Sequence, residues 1–343
     1  MVNRSSGHPV ALPRYLLSLF QVWGSLTLSA CESVPESAIT GANLEGIPYV
    51  IYDNDGVIDV YTDDYIMALA GAGRIELIGM VTSSSTEPFN LWVSRADLSQ
   101  MREDRATGVA AARTIGITGI PDPVSGPDRH LVPPESRRIG DTAPIGSAGS
   151  RMVAQTAATL PAGRVLHLVM GGPLTLAADA FLLNPVIADR VVVHWLGGRP
   201  DDMSDYNGGA DPWAAYIVLQ RLKLIQYPAW RLGKRDAPSV PKRRLKNLPN
   251  TSWSSWMVSK QHPTNSLPDE RDADAPPAIG LVRRDYVVAR KRVSFGGWTE
   301  GVGSSAPLLR EDPDGGAVVV LRGDREVATE EWWRALLAAM AHR

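Results

Sequence analysis

The sequence predicts a single α/β domain: a doubly wound, mainly parallel sheet with helices on both faces and a small antiparallel edge near the C-terminus. Three observations carry this. Short apolar runs alternate with stretches of helical spacing along most of the chain. The runs at 164–170 and 189–196 are apolar over most of their length, as strands buried on both faces of a parallel sheet are. The first run ends in carboxylates, and open α/β sheets bind ligands at the carboxyl ends of their strands.

The first strand covers residues 49–52 and runs into Asp53, Asp55, Asp59, Asp63 and Asp64, five carboxylates within twelve residues. Carboxylates this close repel one another unless a cation or shared protons hold them. Hard oxygen ligands suit Ca²⁺ or Mg²⁺. A helix follows over 63–72, with Ile66, Met67, Leu69 and Ala70 at helical spacing. Asp63 and Asp64 fall in its expected first turn, where carboxylates favour the helix dipole, and Gly71 and Gly73 are stop signals. Residues 76–81 form a second strand, so the first two strands are expected to be parallel, joined by a right-handed crossover.

A more polar helix is expected over 91–113, then a short strand or turn at 114–117. The Pro/Gly-rich segment 119–147 is of a length that is often functional. Helix 148–160, strand 164–170, the turn Gly171-Gly172-Pro173, helix 174–183, strand 189–196 and helix 212–222 continue the alternation. Residues 223–270 give no clear period, with Trp230, Trp253 and Trp256 among basic and polar residues. A further helix candidate begins at Asp274. Strands at 287–295 and 317–322 are expected to form an antiparallel hairpin at the sheet edge. A helix over 329–340 closes the chain, with Thr329 as its N-cap and Glu330 and Glu331 in its first turn.

Net charge is −2 over 343 residues and no basic stripe occurs, so nucleic acid is not an expected partner. Arg4 and Arg14, followed by a short apolar run over 16–30, read as an N-terminal targeting segment. That run is too short and interrupted for a membrane span. Leu28-Ser29-Ala30-Cys31 resembles a bacterial lipobox, in which the cysteine becomes lipidated. Cys31 is the only cysteine, which excludes an intrachain disulfide. The expected layout is a signal peptide over 1–30, a tether over 31–46 and one domain over 47–343. On this reading the protein is exported, as a periplasmic or cell-surface lipoprotein that meets the membrane only through its lipid anchor. An ordinary secretory signal with a chance cysteine is the alternative.

Three separated segments resemble the nucleoside hydrolases of the inosine-uridine-preferring type. Asp53-Asn54-Asp55-Gly56 and Asp63-Asp64 followed by Tyr65-Ile66-Met67-Ala68 are similar to the family's opening motif, Asp-x-Asp-Pro-Gly-x-Asp-Asp-Ala. Gly172-Pro173-Leu174-Thr175 with Ala177 is similar to its Gly-Pro-Leu-Thr turn and following helix. Leu196-Gly197-Gly198, Asp205-Tyr206-Asn207 and Asp211-Pro212-Trp213-Ala214-Ala215 are similar to a later block. The resemblance spans roughly residues 47–285 and implies hydrolysis of an N-glycosidic bond in a ribonucleoside or related N-ribosyl compound. It makes Asp55 a calcium ligand and the base that takes a proton from water. Asp64, the Gly171 carbonyl and Asp274 complete the metal shell, with magnesium as the alternative ion. Asp63, Asp205 and Asn207 bind the sugar, and Asp53 supports from behind. The implied partner is a small nucleoside or ribosyl compound; whether copies of the chain form a homo-oligomer is left open.

The sequence departs from the family pattern in three places. Residues 57–62 hold an extra turn that includes Asp59, Leu176 stands where the family has Asn, and Ala273 stands where a His often precedes the late Asp. Leaving-group activation is therefore unassigned, with His262, Tyr206 and the tryptophans as candidates. Two other readings stand beside the hydrolase. Asp53-Asn54-Asp55-Gly56-Val57 also resembles the first motif of haloacid-dehalogenase-type phosphatases, with Asp53 as nucleophile, Asp55 as acid/base and Mg²⁺ as metal; Thr82 or Ser83 and the Asp201-Asp202 pair could supply later motifs. A non-catalytic lipoprotein that binds nucleosides or sugars on the same fold is the other.

Overall fold

A computed structural model describes residues 46–55, 60–83, 98–259, 270–299 and 305–341. The expected signal segment, Cys31, almost all of the expected tether, Asp59 and His262 lie outside the described residues. Nine strands form one sheet in the order β3-β2-β1-β4-β5-β6-β9-β7-β8. The strands are β1 (Tyr49–Asn54), β2 (Glu76–Thr82), β3 (Pro123–Ser125), β4 (Leu166–Met170), β5 (Val191–Leu196), β6 (Lys223–Tyr227), β7 (Val287–Trp298), β8 (Pro307–Glu311) and β9 (Ala317–Gly323). Every pairing from β3 across to β9 is parallel, and β7 is antiparallel to both of its neighbours.

The helices are α1 (Val60–Gly71), α2 (Leu98–Thr114), α3 (Ala148–Thr159), α4 (Thr175–Leu183), α5 (Tyr206–Ala210), α6 (Pro212–Arg221), α7 (Lys242–Leu245), α8 (Ser252–Ser259), α9 (Pro276–Val282) and α10 (Arg325–Ala341). They cover both faces of the sheet. Successive strand residues point to opposite faces, so Val50 and Tyr52 of β1 join a core with α1, α8, α9 and α10, while Ile51 joins a second core with α3, α4 and α6. Among the described residues no helix is long and apolar enough to cross a membrane.

The strand order reverses direction between β1 and β4. The chain builds β2 and β3 outward on one side of β1, then returns to lay β4, β5 and β6 on the other. Loops leaving β1 and β4 diverge to opposite faces at such a point and open a crevice between them.

Four expectations need correction. α1 begins at Val60, so Asp63 alone lies in its first turn. β7 and β9 do pair, but not as an edge hairpin. β9 inserts beside β6, and β8 takes the outer side of β7. β6 falls inside the segment that gave no period, because Lys223 and Gln226 interrupt its apolar run. α10 starts earlier than expected, at Arg325; Asp324 Oδ1 accepts from the Glu326 and Val327 amides at 2.9 and 3.2 Å. Thr329 is therefore inside the helix, its hydroxyl donating to the Arg325 carbonyl at 2.8 Å, and it is not the N-cap.

Candidate active site

The crevice at the reversal is floored by the ends of β1 and β4. The register pairs Asp53 with Met170, which brings Asp55 level with the Gly171-Gly172 turn. The Gly171 amide donates to the Asp53 carbonyl at 2.9 Å, extending the ladder into the turn. Both glycines are needed for space. A Cβ on Gly172 would stand 2.8 Å from Asp55 Cγ, and one on Gly171 would stand 2.6 Å from Asp274 Oδ2 and 3.2 Å from Asn54 Cγ. The carboxylates of Asp55 and Asp274 thus lie against adjacent residues of one turn.

Asp274 reaches the turn from the far end of the chain. Its segment is pinned through Asp272, whose Oδ1 accepts from the Thr62 hydroxyl and whose Oδ2 accepts from the Trp332 indole at 2.7 Å. Thr62 belongs to the extra turn at 57–62, and the described part of that turn is therefore a clamp between α1 and the Asp272–Asp274 segment. Residues 56–59 lie outside the described residues. Pro276 and Pro277 open α9 immediately afterwards, where a missing amide proton costs least.

Asp53 is buried beneath the turn and is held by the Ser83 hydroxyl at 2.6 Å. Burial pushes its carboxyl up to about 7, against the pull of Ser83 and Arg105. Asp63 and Asp64, neighbours on α1, differ. Arg105 Nε donates to Asp63 Oδ2 at 2.8 Å, and Asp63 Oδ1 is buried with no hydrogen-bond partner among the described residues. Asp64 Oδ1 accepts from the Trp253 indole at 2.7 Å. Arg105 is itself buried, bonded to the Val81 carbonyl at 2.9 Å and Thr82 Oγ1 at 2.6 Å, and its carboxylate partner keeps it charged more firmly than an exposed arginine.

On the other flank Asp205 caps α5, Oδ1 accepting from the Gly208 amide at 2.9 Å while Oδ2 is buried with no hydrogen-bond partner among the described residues. Burial raises its carboxyl to about 6, opposed by the Gly208 and Gly198 amides. Asn207 does not point its amide nitrogen outward; Nδ2 donates to the Gly171 and Leu196 carbonyls at 2.7 and 2.8 Å. It fixes the turn against which the Asp55 and Asp274 carboxylates lie. Tyr206 is exposed at the start of α5.

The donor set is made of hard oxygens, and the glycine turn leaves a cradle beside two carboxylates that a side chain would fill. Both features fit a small divalent cation. Among the described residues no three His, Cys, Asp or Glu side chains are grouped as a metal cage. Any cation here would draw on Asp55 and Asp274 first, with other oxygens completing its shell.

Arg105 and Asp272 escape sequence reasoning as parts of this site, while the sequence offers Ser83 only as a phosphatase motif and Trp253 only as a leaving-group candidate. Arg105 had a detectable signal: it shares its buried face with Gly108, Val109 and Ala112, the i, i+3, i+4, i+7 stripe on which a charge demands a partner. The indole of Trp253 had none, since its partner is 189 residues away.

No protein-family model matches the sequence, and no curated protein does. Solved structures do. An inosine-uridine preferring nucleoside hydrolase from Bacillus anthracis is 14% identical, with 84% of this chain and 99% of that one covered at a TM-score of 0.57. A plant nucleoside hydrolase is 15% identical over 84% of this chain and 98% of its own, at 0.60. A purine-preferring ribonucleoside hydrolase from Gardnerella vaginalis is 16% identical over 85% of this chain and 99% of its own, at 0.58. The chain has the nucleoside hydrolase fold.

Proposed function

We propose that this chain hydrolyses the N-glycosidic bond of a ribonucleoside or related N-ribosyl compound. The observation behind the reading is the meeting of Asp55, Asp274 and the Gly171-Gly172 turn in the crevice of a sheet shared with nucleoside hydrolases. A water oxygen adds to the anomeric carbon as the carbon–nitrogen bond breaks. Asp55 takes a proton from that water, and the leaving base takes one from solvent. The anomeric carbon passes through an oxocarbenium-like state, which the surrounding carboxylates stabilise. Asp63 Oδ1 and Asp205 Oδ2 accept sugar hydroxyls, since both lack another hydrogen-bond partner among the described residues. Asn207 acts on the turn, and Ala273 offers the leaving base no proton.

Calcium, with magnesium as the alternative, would be held by Asp55 and Asp274 with Asp64 and the Gly171 carbonyl. When bound, such an ion lowers the pKa of a coordinated water. The test is release of reducing sugar from a panel of purine and pyrimidine nucleosides, with and without chelator. Release that chelator stops and added Ca²⁺ restores is the expected result. No release from any nucleoside by metal-loaded protein would sink the proposal. Asp55→Ala that still binds a nucleoside the wild type does not cleave would identify a binding protein instead.

The burial of Asp53 at 1% exposure under Ser83 opposes a phosphatase nucleophile there, and a trapped aspartyl-phosphate would reverse that judgement. We also infer export and lipidation from Leu28-Ser29-Ala30-Cys31. Labelled palmitate should enter the expressed protein and not its Cys31→Ala variant.

A further inference from the structure

A second cavity, of about 660 Å³, opens between the start of α6, the loop around residues 130–137 and the end of β7. Its size falls within the range of small-ligand sites. None of the carboxylates assigned above lines it. Its wall is aromatic: Trp213, Tyr216 and Trp298. These rings pack on one another, with centroids 5.2 Å apart for Trp213 and Tyr216, 5.1 Å for Tyr216 and Trp298 and 6.5 Å for Trp213 and Trp298. Such spacings leave no gap for a cation between opposed faces. The cluster is a stacking wall rather than a cage.

The polar groups of the cavity are unequal. Asp211 is already committed: Oδ2 accepts from the Leu131 amide at 2.9 Å and Thr175 Oγ1 at 2.8 Å, and Oδ1 accepts from the Ala214 amide at 3.0 Å. His130 has its Nε2 buried with no hydrogen-bond partner among the described residues, and burial keeps the ring below the usual imidazole range against the pull of Asp211. Arg137 is exposed at the rim, and no described residue pairs with its guanidinium. It is held in the left-handed backbone region at φ 53°, where a non-glycine residue is uncommon and costs energy. Among the described residues the cavity therefore offers one unpaired guanidinium and an aromatic wall.

We propose that this cavity is a binding site for a planar aromatic anion, its ring stacked on the Trp213–Tyr216–Trp298 wall and its carboxylate or phosphate paired with Arg137. Guanidinium pairs with both groups in bidentate fashion, and stacked rings add to that through offset contact. The site does not depend on the hydrolase reading, since none of its lining groups takes part in it.

Calorimetric titration of the full chain with phenyl phosphate and with benzoate tests this. At least one should bind saturably, at millimolar Kd or tighter. Inorganic phosphate and phenol, each carrying half of the recognition, should bind at least about tenfold more weakly. Arg137→Gln, an exposed change that leaves the core untouched, should weaken binding about tenfold or more. Trp298→Leu should do the same, and Asp55→Asn should bind as wild type does. The proposal fails if neither aromatic anion binds, if Arg137→Gln binds unchanged, or if Asp55→Asn abolishes binding, which would locate the ligand in the carboxylate crevice. It also fails if benzyltrimethylammonium binds in preference to both anions.

Discussion

Two sets of buried carboxylates in this molecule are compensated in opposite ways. Glu331, fully buried on α10, is surrounded by guanidinium groups: Arg74 at 3.0 Å, Arg283 at 3.4 Å and Arg334. The crevice carboxylates receive mostly neutral donors. Asp53 has a serine hydroxyl, Asp205 a backbone amide and Asp64 an indole. A carboxylate matched by cations has its charge spent within the protein. One held by neutral donors keeps its appetite for a proton, a cation or a developing positive centre, and at Asp53 and Asp205 the donors do not cancel the rise that burial imposes. Asp63 combines both modes, with Arg105 on one oxygen and no hydrogen-bond partner on the other.

Mutations that exchange these roles can break the contrast. The largest effect is expected from Asp55→Asn, which should lower kcat on a cleaved nucleoside by about 10²–10⁴-fold with little change in Tm. A melted variant would show that Asp55 serves the fold. Glu331→Gln should do the reverse, costing about 2–3 kcal/mol, at or below the range for a fully enclosed pair because Arg74 and Arg334 reach solvent. Urea denaturation reads this, and kcat should hold. Gly172→Ala must displace Asp55 and should reduce kcat roughly tenfold, an amount equal to about 1.4 kcal/mol of barrier. Unaltered turnover would mean that Asp55 need not lie against the turn.

Smaller effects should appear in KM. Arg105→Met frees Asp63 to turn away, and KM should rise several-fold with kcat nearly constant if Asp63 positions sugar. The pH profile should show Asp205: its carboxylate is the acceptor, so KM should fall as pH rises through about 6. Asp205→Asn should flatten that step. The same group acts on stability with the opposite sign. The fold holds its proton more tightly than the unfolded chain, so its contribution is full at low pH and is lost as pH rises from about 4 to about 6.

How far the sequence reached follows from the range of the interactions. β1, β2, β4 and β5 were legible because strands buried on both faces must be apolar nearly throughout. β3 is three residues beginning with proline, too short to show a period, and β6 hides behind the buried Gln226, whose Nε2 donates to the Arg199 carbonyl at 2.8 Å. Within the site, Asp53, Asp55, Gly171 and Gly172 were legible as a strand end and a turn. Which carboxylate faces which donor was not. Asp63 and Asp64 are adjacent in sequence, and only distant partners, Arg105 and Trp253, separate their chemistry. The resemblance makes Asn207 a sugar ligand, yet its amide nitrogen is bonded to two backbone carbonyls, an arrangement that depends on how the β4 and β5 turns meet.

The clamp between Thr62 and Asp272 joins residues 210 positions apart, and Asp272 leans in turn on Trp332, near the end of the chain. β9 likewise comes from the last stretch yet fills a place inside the sheet, beside β6. A nascent chain therefore leaves the β6 edge unpaired, as an open template for wrong partners, until β9 has emerged. The candidate crevice is likewise completed only once α10 is in place, because the segment that carries Asp274 leans on Trp332 through Asp272.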